Sequence, residues 1–190
     1  MAETCVFARD AAQRLRKTAS ELDSCPAPQV LGPWTVPFGS LEIDGARMLS
    51  ELYEMISEDR SIYMFELTDA SATSILRSTL QNLKSTKMHG FSAPKVNLVE
   101  GNSRCLYVGS SFATGKRRHT LVARLKQHLG LSNTSTYAMH LQRWARDIPG
   151  AITINVWQYS KNVDRLMVLA IEDALAEMHQ PLLGKRGTAR

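Results

Sequence analysis

The sequence predicts a mixed α/β fold, in which helices flank a small, largely antiparallel sheet. Several segments repeat apolar residues at helical spacing, and short runs rich in β-branched and aromatic residues lie between them. Two of those short runs are separated by only a turn, which favours antiparallel pairing. Apolar residues form 44% of the 190-residue chain, enough to fill the core of one domain.

The first 40 residues are predicted to form an arm ahead of the main domain. Residues 4–23 repeat apolar side chains at helical spacing among arginines and lysines, which predicts a helix. Residues 24–39 contain four prolines and two glycines, which predicts a linker or an irregular wrap. Trp34 and Phe38 in this segment indicate that it packs against the rest of the protein.

The main domain is predicted to span residues 41–190. Its first half contains a helix, a strand, a second helix and then two short strands around a turn. These elements are expected at 46–58, 61–67, 70–87, 95–99 and 104–108. Its second half contains a polar loop, two helices, an alternating strand and a long final helix, at 109–118, 120–129, 137–146, 151–159 and 163–178.

The positive charge of the chain is concentrated in one segment. The net charge is +5, yet the span from Gly101 to Arg146 holds eight basic residues and no Asp or Glu. They are Arg104, Lys116, Arg117, Arg118, Arg124, Lys126, Arg143 and Arg146. Such a patch is typical of a protein that binds a phosphate backbone, although a solvated basic face is the simpler interpretation.

The cysteines and the apolar runs predict a cytoplasmic protein. The three cysteines have no CxxC spacing, which argues against a zinc site or a disulfide framework and favours reduced thiols. No stretch approaches the ~20 apolar residues that a membrane span requires, and the N-terminus does not resemble a signal peptide. We therefore expect no membrane partner.

Two tyrosines, an arginine and a histidine are candidate site residues. Tyr107 lies on a predicted strand that runs into Gly109, and a glycine there lets the backbone approach a ligand closely. Arg124 and His128 are four residues apart, so one helical face can offer both to a single phosphate. Tyr63 lies on another predicted strand. Taken singly, each residue also fits an ordinary core or an amphipathic surface.

Glu172 is the most informative candidate. It falls on the same helical stripe as Val168, Leu169 and Leu175, in the middle of an apolar face. A carboxylate in that position is costly unless it is paired or binds a metal ion. The sequence therefore predicts either a metal ligand or an internal ion pair with an arginine.

These features, in this order, resemble the GIY-YIG nuclease superfamily. Residues 106–109 (LYVG) are similar to its YIG half, and residues 61–63 (SIY) are similar to its GIY half, with serine in place of glycine. The pattern L-x-x-R-x-x-x-H at 121–128 resembles the arginine helix of the family, and the helix of Glu172 resembles its metal-binding glutamate helix. The resemblance covers residues 61–187.

The chain also departs from the family pattern elsewhere, and the loop before Arg124, which carries Lys116, Arg117 and Arg118, is longer than usual. The segment between Tyr63 and Tyr107 is much longer than in the family, which identifies an insertion at about 70–95. Ser110 stands where a lysine is common, and the asparagine usual near the end of the domain is absent.

The resemblance implies a metal-dependent endonuclease that hydrolyses phosphodiester bonds. It implies that Glu172 holds one Mg²⁺ or Mn²⁺, that Arg124 neutralises charge on the scissile phosphate and that Tyr107 positions phosphate or water. Tyr63 would accept a proton from the attacking water, which requires a nearby cation, and His128 would orient it or share the proton.

DNA is the expected partner. Lys116, Arg117, Arg118, Lys126 and Lys185 are the candidate backbone contacts, and sequence specificity would come from the arm, the insertion or a homodimer. Restriction, mobile elements and repair are the contexts that the family implies. The alternative is a nucleic-acid-binding module that kept the fold and lost catalysis. No P-loop, GxGxxG motif or nucleophile elbow points to another enzyme class.

Overall fold

The fold was obtained as a computed structural model, and it is described here for residues 2–57, 60–86, 90, 94–97, 103–112, 120–135 and 137–184. The helices are α1 (Ala2–Asp23), α2 (Leu41–Met55), α3 (Ala72–Thr86), α4 (Thr120–Leu129), α5 (Leu141–Trp144) and α6 (Arg165–His179). The strands are β1 (Gln29–Pro37), β2 (Arg60–Leu67), β3 (Cys105–Phe112) and β4 (Ala151–Tyr159), and a 3-10 turn covers Phe38–Ser40.

The four strands form one antiparallel sheet in the order β1-β4-β2-β3. The prediction of a mixed α/β fold with a small antiparallel sheet is therefore confirmed. Strand β2 lies between β4 and β3 and is buried along nearly its whole length. Its run of aromatic and β-branched residues suits a central strand that is covered on both faces.

The segment predicted as a linker or an irregular wrap is instead strand β1, so that prediction is wrong. Residues Gln29 to Pro37 pair with β4 from Gln158 to Ala151. The prolines are tolerated because β1 is an edge strand, where a residue without an N–H leaves no partner unpaired. The register shifts between Leu31 and Trp34, at the Gly32-Pro33 pair.

Each face of the sheet carries its own apolar core. On one face, side chains of β2 such as Phe65 pack with α2, α3, α4 and α5, including Leu52, Leu76 and Leu125. On the other face, Ile62 and Met64 of the same strand pack with α6. Alternate residues of a strand point to opposite faces, which is why neighbours on β2 belong to different cores.

Three further predictions change in detail. The helix expected at 137–146 is only the single turn α5, and the strand expected at 95–99 is represented among the described residues by one bridge, Val96 to Leu183. Strand β3 continues to Phe112, through the first part of the loop expected at 109–118. None of the described helices is both long and apolar enough to cross a membrane.

Candidate functional site

Tyr63 and Tyr107 lie side by side on adjacent strands. Tyr63 of β2 pairs across the sheet with Gly109 of β3, and Tyr107 is two residues before that glycine. The two rings stack with their centroids 6.2 Å apart and an angle of 14° between their planes. The 43 residues between the two tyrosines are bridged by antiparallel pairing, so the intervening segment with α3 does not separate them.

Gly109 leaves the space that both rings occupy. A Cβ atom at this position would lie 2.7 Å from Tyr63 Oη and 2.7 Å from Tyr107 Cε1, which is closer than van der Waals contact allows. Gly184, in the segment after α6, has a φ of +93° and lies against the other side of the Tyr107 ring. The sequence gave no signal of this contact.

His128 is a buried neutral imidazole that holds Tyr63. The backbone N–H of Met139 donates to its Nδ1 at 3.3 Å, so the ring proton is on Nε2. That nitrogen lies 3.1 Å from Tyr63 Oη and donates to it. Burial, with positive charge on Arg124 beside it, holds the pKa of His128 well below its usual value.

Arg124 sits beside both phenols. Its Nη1 donates to Gln127 Oε1 at 3.0 Å and to the Tyr137 carbonyl at 3.1 Å, and these contacts fix the guanidinium on the exposed side of the cluster. Burial opposes its charge, but attraction to Tyr63 and Tyr107 when these phenols are ionised, together with hydrogen bonds to them, outweighs burial and raises the pKa of Arg124. Arg124 is therefore permanently cationic. No sequence signal singled out Gln127 or Tyr137.

The pKa values of the two tyrosines are set by two opposing effects. Burial is the larger effect and raises the pKa of both phenols, whereas the charge of Arg124 lowers them. Burial prevails, so Tyr63 is protonated at neutral pH, and the proton-accepting role predicted for it requires a cation in addition to Arg124. His128 contacts Tyr63 and is 1% exposed, so the expectation that Arg124 and His128 face one phosphate together is wrong as well.

Glu172 reaches this cluster from the opposite face of the sheet. Helix α6 packs on the face that carries Ile62, and Glu172 is half-buried beside the edge strand β3. The Ser110 hydroxyl donates to Glu172 Oε2 at 2.5 Å. Burial raises the pKa of Glu172, the hydrogen bond from Ser110 lowers it, and Arg124 also acts on it electrostatically. Among the described residues, this carboxylate therefore lies beside a hydroxyl and forms no ion pair.

The oxygen atoms around Glu172 suit a divalent ion that keeps most of its water ligands. In the described part of the chain, no three His, Cys, Asp or Glu side chains lie close enough together to hold a metal ion. One carboxylate and the Ser110 hydroxyl offer hard oxygen ligands, and Mg²⁺ is often bound through one or two carboxylates while retaining water. The residues present therefore fit a single, largely hydrated Mg²⁺ or Mn²⁺.

Of the predicted backbone contacts, only Lys126 lies among the described residues, and it is not part of this cluster. Lys126 is exposed and lies two residues beyond Arg124, so it points to another side of α4 and lines a separate cleft against α2. Lys116, Arg117, Arg118 and Lys185 lie outside the described residues.

In comparisons with known proteins, no family model, curated protein or solved structure matches the chain at a significant level.

Proposed function

We propose that this protein is a metal-dependent endonuclease that hydrolyses phosphodiester bonds in DNA with a GIY-YIG-like site. One observation carries the proposal. Tyr63, Tyr107, Arg124, His128 and Glu172 come from four separate elements, yet they act on one another electrostatically or by hydrogen bonds at a single edge of the sheet. A permanently charged guanidinium, two phenols and a half-buried carboxylate form a site that suits a phosphate diester.

Arg124 would stabilise the charge that develops on the scissile phosphate. Its side chain is held by Gln127 and by the Tyr137 carbonyl, so little reorganisation is needed when a substrate enters. Tyr107 is only partly buried, and its hydroxyl can donate to a phosphate oxygen because its raised pKa keeps it protonated.

Tyr63 would orient the attacking water. Its oxygen accepts the Nε2–H of His128 and lies beside the Arg124 guanidinium, which offers only donors, so its own hydroxyl proton can be donated to the water. A role as proton acceptor requires more positive charge near Tyr63 than Arg124 and the His128 N–H provide, because burial raises its pKa.

Glu172 and Ser110 would hold the divalent ion. When bound, Mg²⁺ or Mn²⁺ supplies positive charge that polarises a phosphate oxygen and stabilises the leaving oxygen. Glu172 must be ionised for this role, and Ser110 favours the ionised form by donating to it.

DNA as the substrate rests on the basic segment between residues 101 and 146, which carries eight cationic residues and no acidic ones. A homodimer, a cytoplasmic location and a role in restriction, mobile elements or repair remain predictions of the sequence.

The test is a plasmid-nicking assay with and without Mg²⁺. Glu172→Ala and Arg124→Ala should each abolish nicking, with melting temperatures close to that of the unsubstituted protein. Glu177→Ala is the matched control, since it removes an exposed carboxylate from the same helix and should leave nicking unchanged. The proposal is contradicted if either site variant still nicks the plasmid. It is also contradicted if Glu177→Ala reduces nicking as much as the site substitutions do.

The second candidate is a nucleic-acid-binding module without catalysis. The observation that favours it is the raised pKa of the buried Tyr63 phenol, which opposes proton transfer from water. DNA binding that weakens with salt, together with no nicking under any metal ion, would identify this function.

A further inference from the structure

A cleft of about 1010 Å³ lies on the other side of α4 from the tyrosines. Its walls come from α2 on one side and from α4, α5 and the segment 130–132 on the other. Helix α4 thus lies between this cleft and the tyrosines, with Arg124 facing the tyrosines and Lys126 lining the cleft. A helix is about 10 Å across, so one extended ligand can contact both sides.

The cleft is mainly basic on the wall formed by α4 and α5. Lys126, Arg143 and Arg146 line it, and all three are exposed. Glu42 and Glu54 of α2 also line it, so three cations face two carboxylates. Arg146 is the least available of the three, because its Nε lies 3.6 Å from an oxygen of Asp147.

An aromatic ring and two buried oxygens complete the lining. Tyr53 of α2 is 46% exposed, so its ring can receive a flat ligand. Among the described residues, Ser132 Oγ and Gln142 Oε1 are buried atoms without a hydrogen-bond partner, and both residues line the cleft. Buried polar atoms are rarely left unpaired in native proteins, so these two side chains are expected to turn toward the cleft when a polar ligand enters it.

We propose that this cleft binds a segment of single-stranded nucleic acid. Lys126, Arg143 and Arg146 contact its phosphates, and Tyr53 stacks on an unpaired base. Ser132 and Gln142 turn toward the cleft and accept hydrogen bonds from that base or its sugar. A duplex keeps its base faces stacked inside, so a concave site with an aromatic wall favours a single strand. The inference rests on the proposed function, because it assumes a nucleic-acid substrate.

Fluorescence anisotropy with the full chain tests this site. The probe is a fluorescein-labelled oligothymidylate of about 12 nucleotides, within the site sizes of single-strand-binding proteins, titrated in EDTA over a range of salt concentrations. Tyr53→Ala should weaken binding about fivefold or more. Arg143→Glu with Arg146→Glu should weaken it about tenfold or more and reduce the slope of log K against log salt by about 1.4, the value for two phosphate contacts.

A double substitution on α1 provides the matched control. Arg9→Glu with Arg16→Glu changes the net charge by the same amount at two exposed positions of a helix that packs against α6. This control should keep most of the affinity. The inference is overturned if the wild type does not bind, if the cleft variants bind like the wild type, or if the control loses as much affinity. Should charge reversal lower the melting temperature, Arg143→Gln replaces it.

Two further measurements separate this inference from the proposed nuclease activity. Glu172→Ala, which should abolish nicking, should bind the oligothymidylate normally. If nicking depends on Glu172 but the cleft variants bind the oligothymidylate normally, the cleft proposal is wrong and the nuclease proposal stands. If the protein does not nick DNA but its binding of the oligothymidylate requires Tyr53, the nuclease proposal is wrong and the cleft proposal stands. A duplex probe whose binding depends equally on Tyr53 overturns the assignment to a single strand.

Discussion

Burial of His128 should make the stability of this protein depend on pH, and His128→Gln should remove that dependence. His128 is 1% exposed, accepts a hydrogen bond from Met139 at Nδ1 and donates one to Tyr63 from Nε2. Protonation would place a second proton on Nδ1, break the contact with Met139 and put a positive charge near Arg124. The pKa of His128 in the folded protein is accordingly well below 6.5.

The sign of the effect follows from proton binding. In the unfolded chain His128 titrates near pH 6.5, whereas in the folded protein it stays neutral to lower pH, so the unfolded state binds one more proton in between. The stabilisation is therefore fully present above about pH 6.5 and is lost as the pH falls below that value. For one proton the slope approaches about 1.4 kcal/mol per pH unit, or a loss of up to about 2 kcal/mol between pH 7.5 and 5.

Urea unfolding at several pH values measures this slope. His128→Gln should be less stable at neutral pH because the buried contact with Tyr63 changes, but its stability should fall less steeply on acidification. The raised pKa of Glu172 acts in the opposite direction, and it cancels when wild type and variant are compared. His179→Gln, at the partly exposed end of α6, is the control and should keep the wild-type slope. Equal slopes in wild type and His128→Gln would falsify this account of the site.

Three other substitutions test the site and the sheet. Gly109→Ala should reduce nicking and lower the free energy of unfolding by about 1–3 kcal/mol, because its Cβ would lie 2.7 Å from both phenol side chains; unchanged melting and nicking would contradict this. Ser110→Ala should raise the pKa of Glu172 and move the acidic limb of the pH–activity profile to higher pH; an unmoved limb counts against the hydrogen bond. Leu31→Ala should lower the free energy of unfolding, measured in urea, by about 2–5 kcal/mol, because Leu31 is fully buried. Val30 is 60% exposed, so Val30→Ala should change it by less than about 0.5 kcal/mol. Similar losses in the two variants would contradict the burial of β1.

Local sequence patterns were sufficient to predict most of the helices and strands. The spacing of Leu121, Leu125 and Leu129 with Gly130 behind them predicted α4 at Thr120–Leu129, and the alternation of Ile152, Ile154 and Val156 predicted β4 at Ala151–Tyr159. Both signals are periodicities within a single element, so they need no knowledge of neighbouring elements.

The predictions failed where the outcome depended on a neighbour. The prolines of β1 normally interrupt a strand, and only its place at the edge of the sheet, beside β4, makes them acceptable. The helix predicted at 137–146 is only a single turn, Leu141–Trp144. It begins after His140, whose backbone has a left-handed conformation. Neither result can be found from propensity alone.

The sequence by itself determined which residue types are present: an arginine and a histidine four apart on a helix, a glutamate in an apolar stripe, and two tyrosines on strands. Only the tertiary structure decided their relations. It stacked Tyr63 on Tyr107 across an antiparallel pair, turned His128 inward to hold Tyr63, and set Lys126 on another side of α4 from Arg124. The physical reason is that periodicity fixes a side chain's direction on its own element, whereas contacts, burial and pKa values depend on elements distant in sequence.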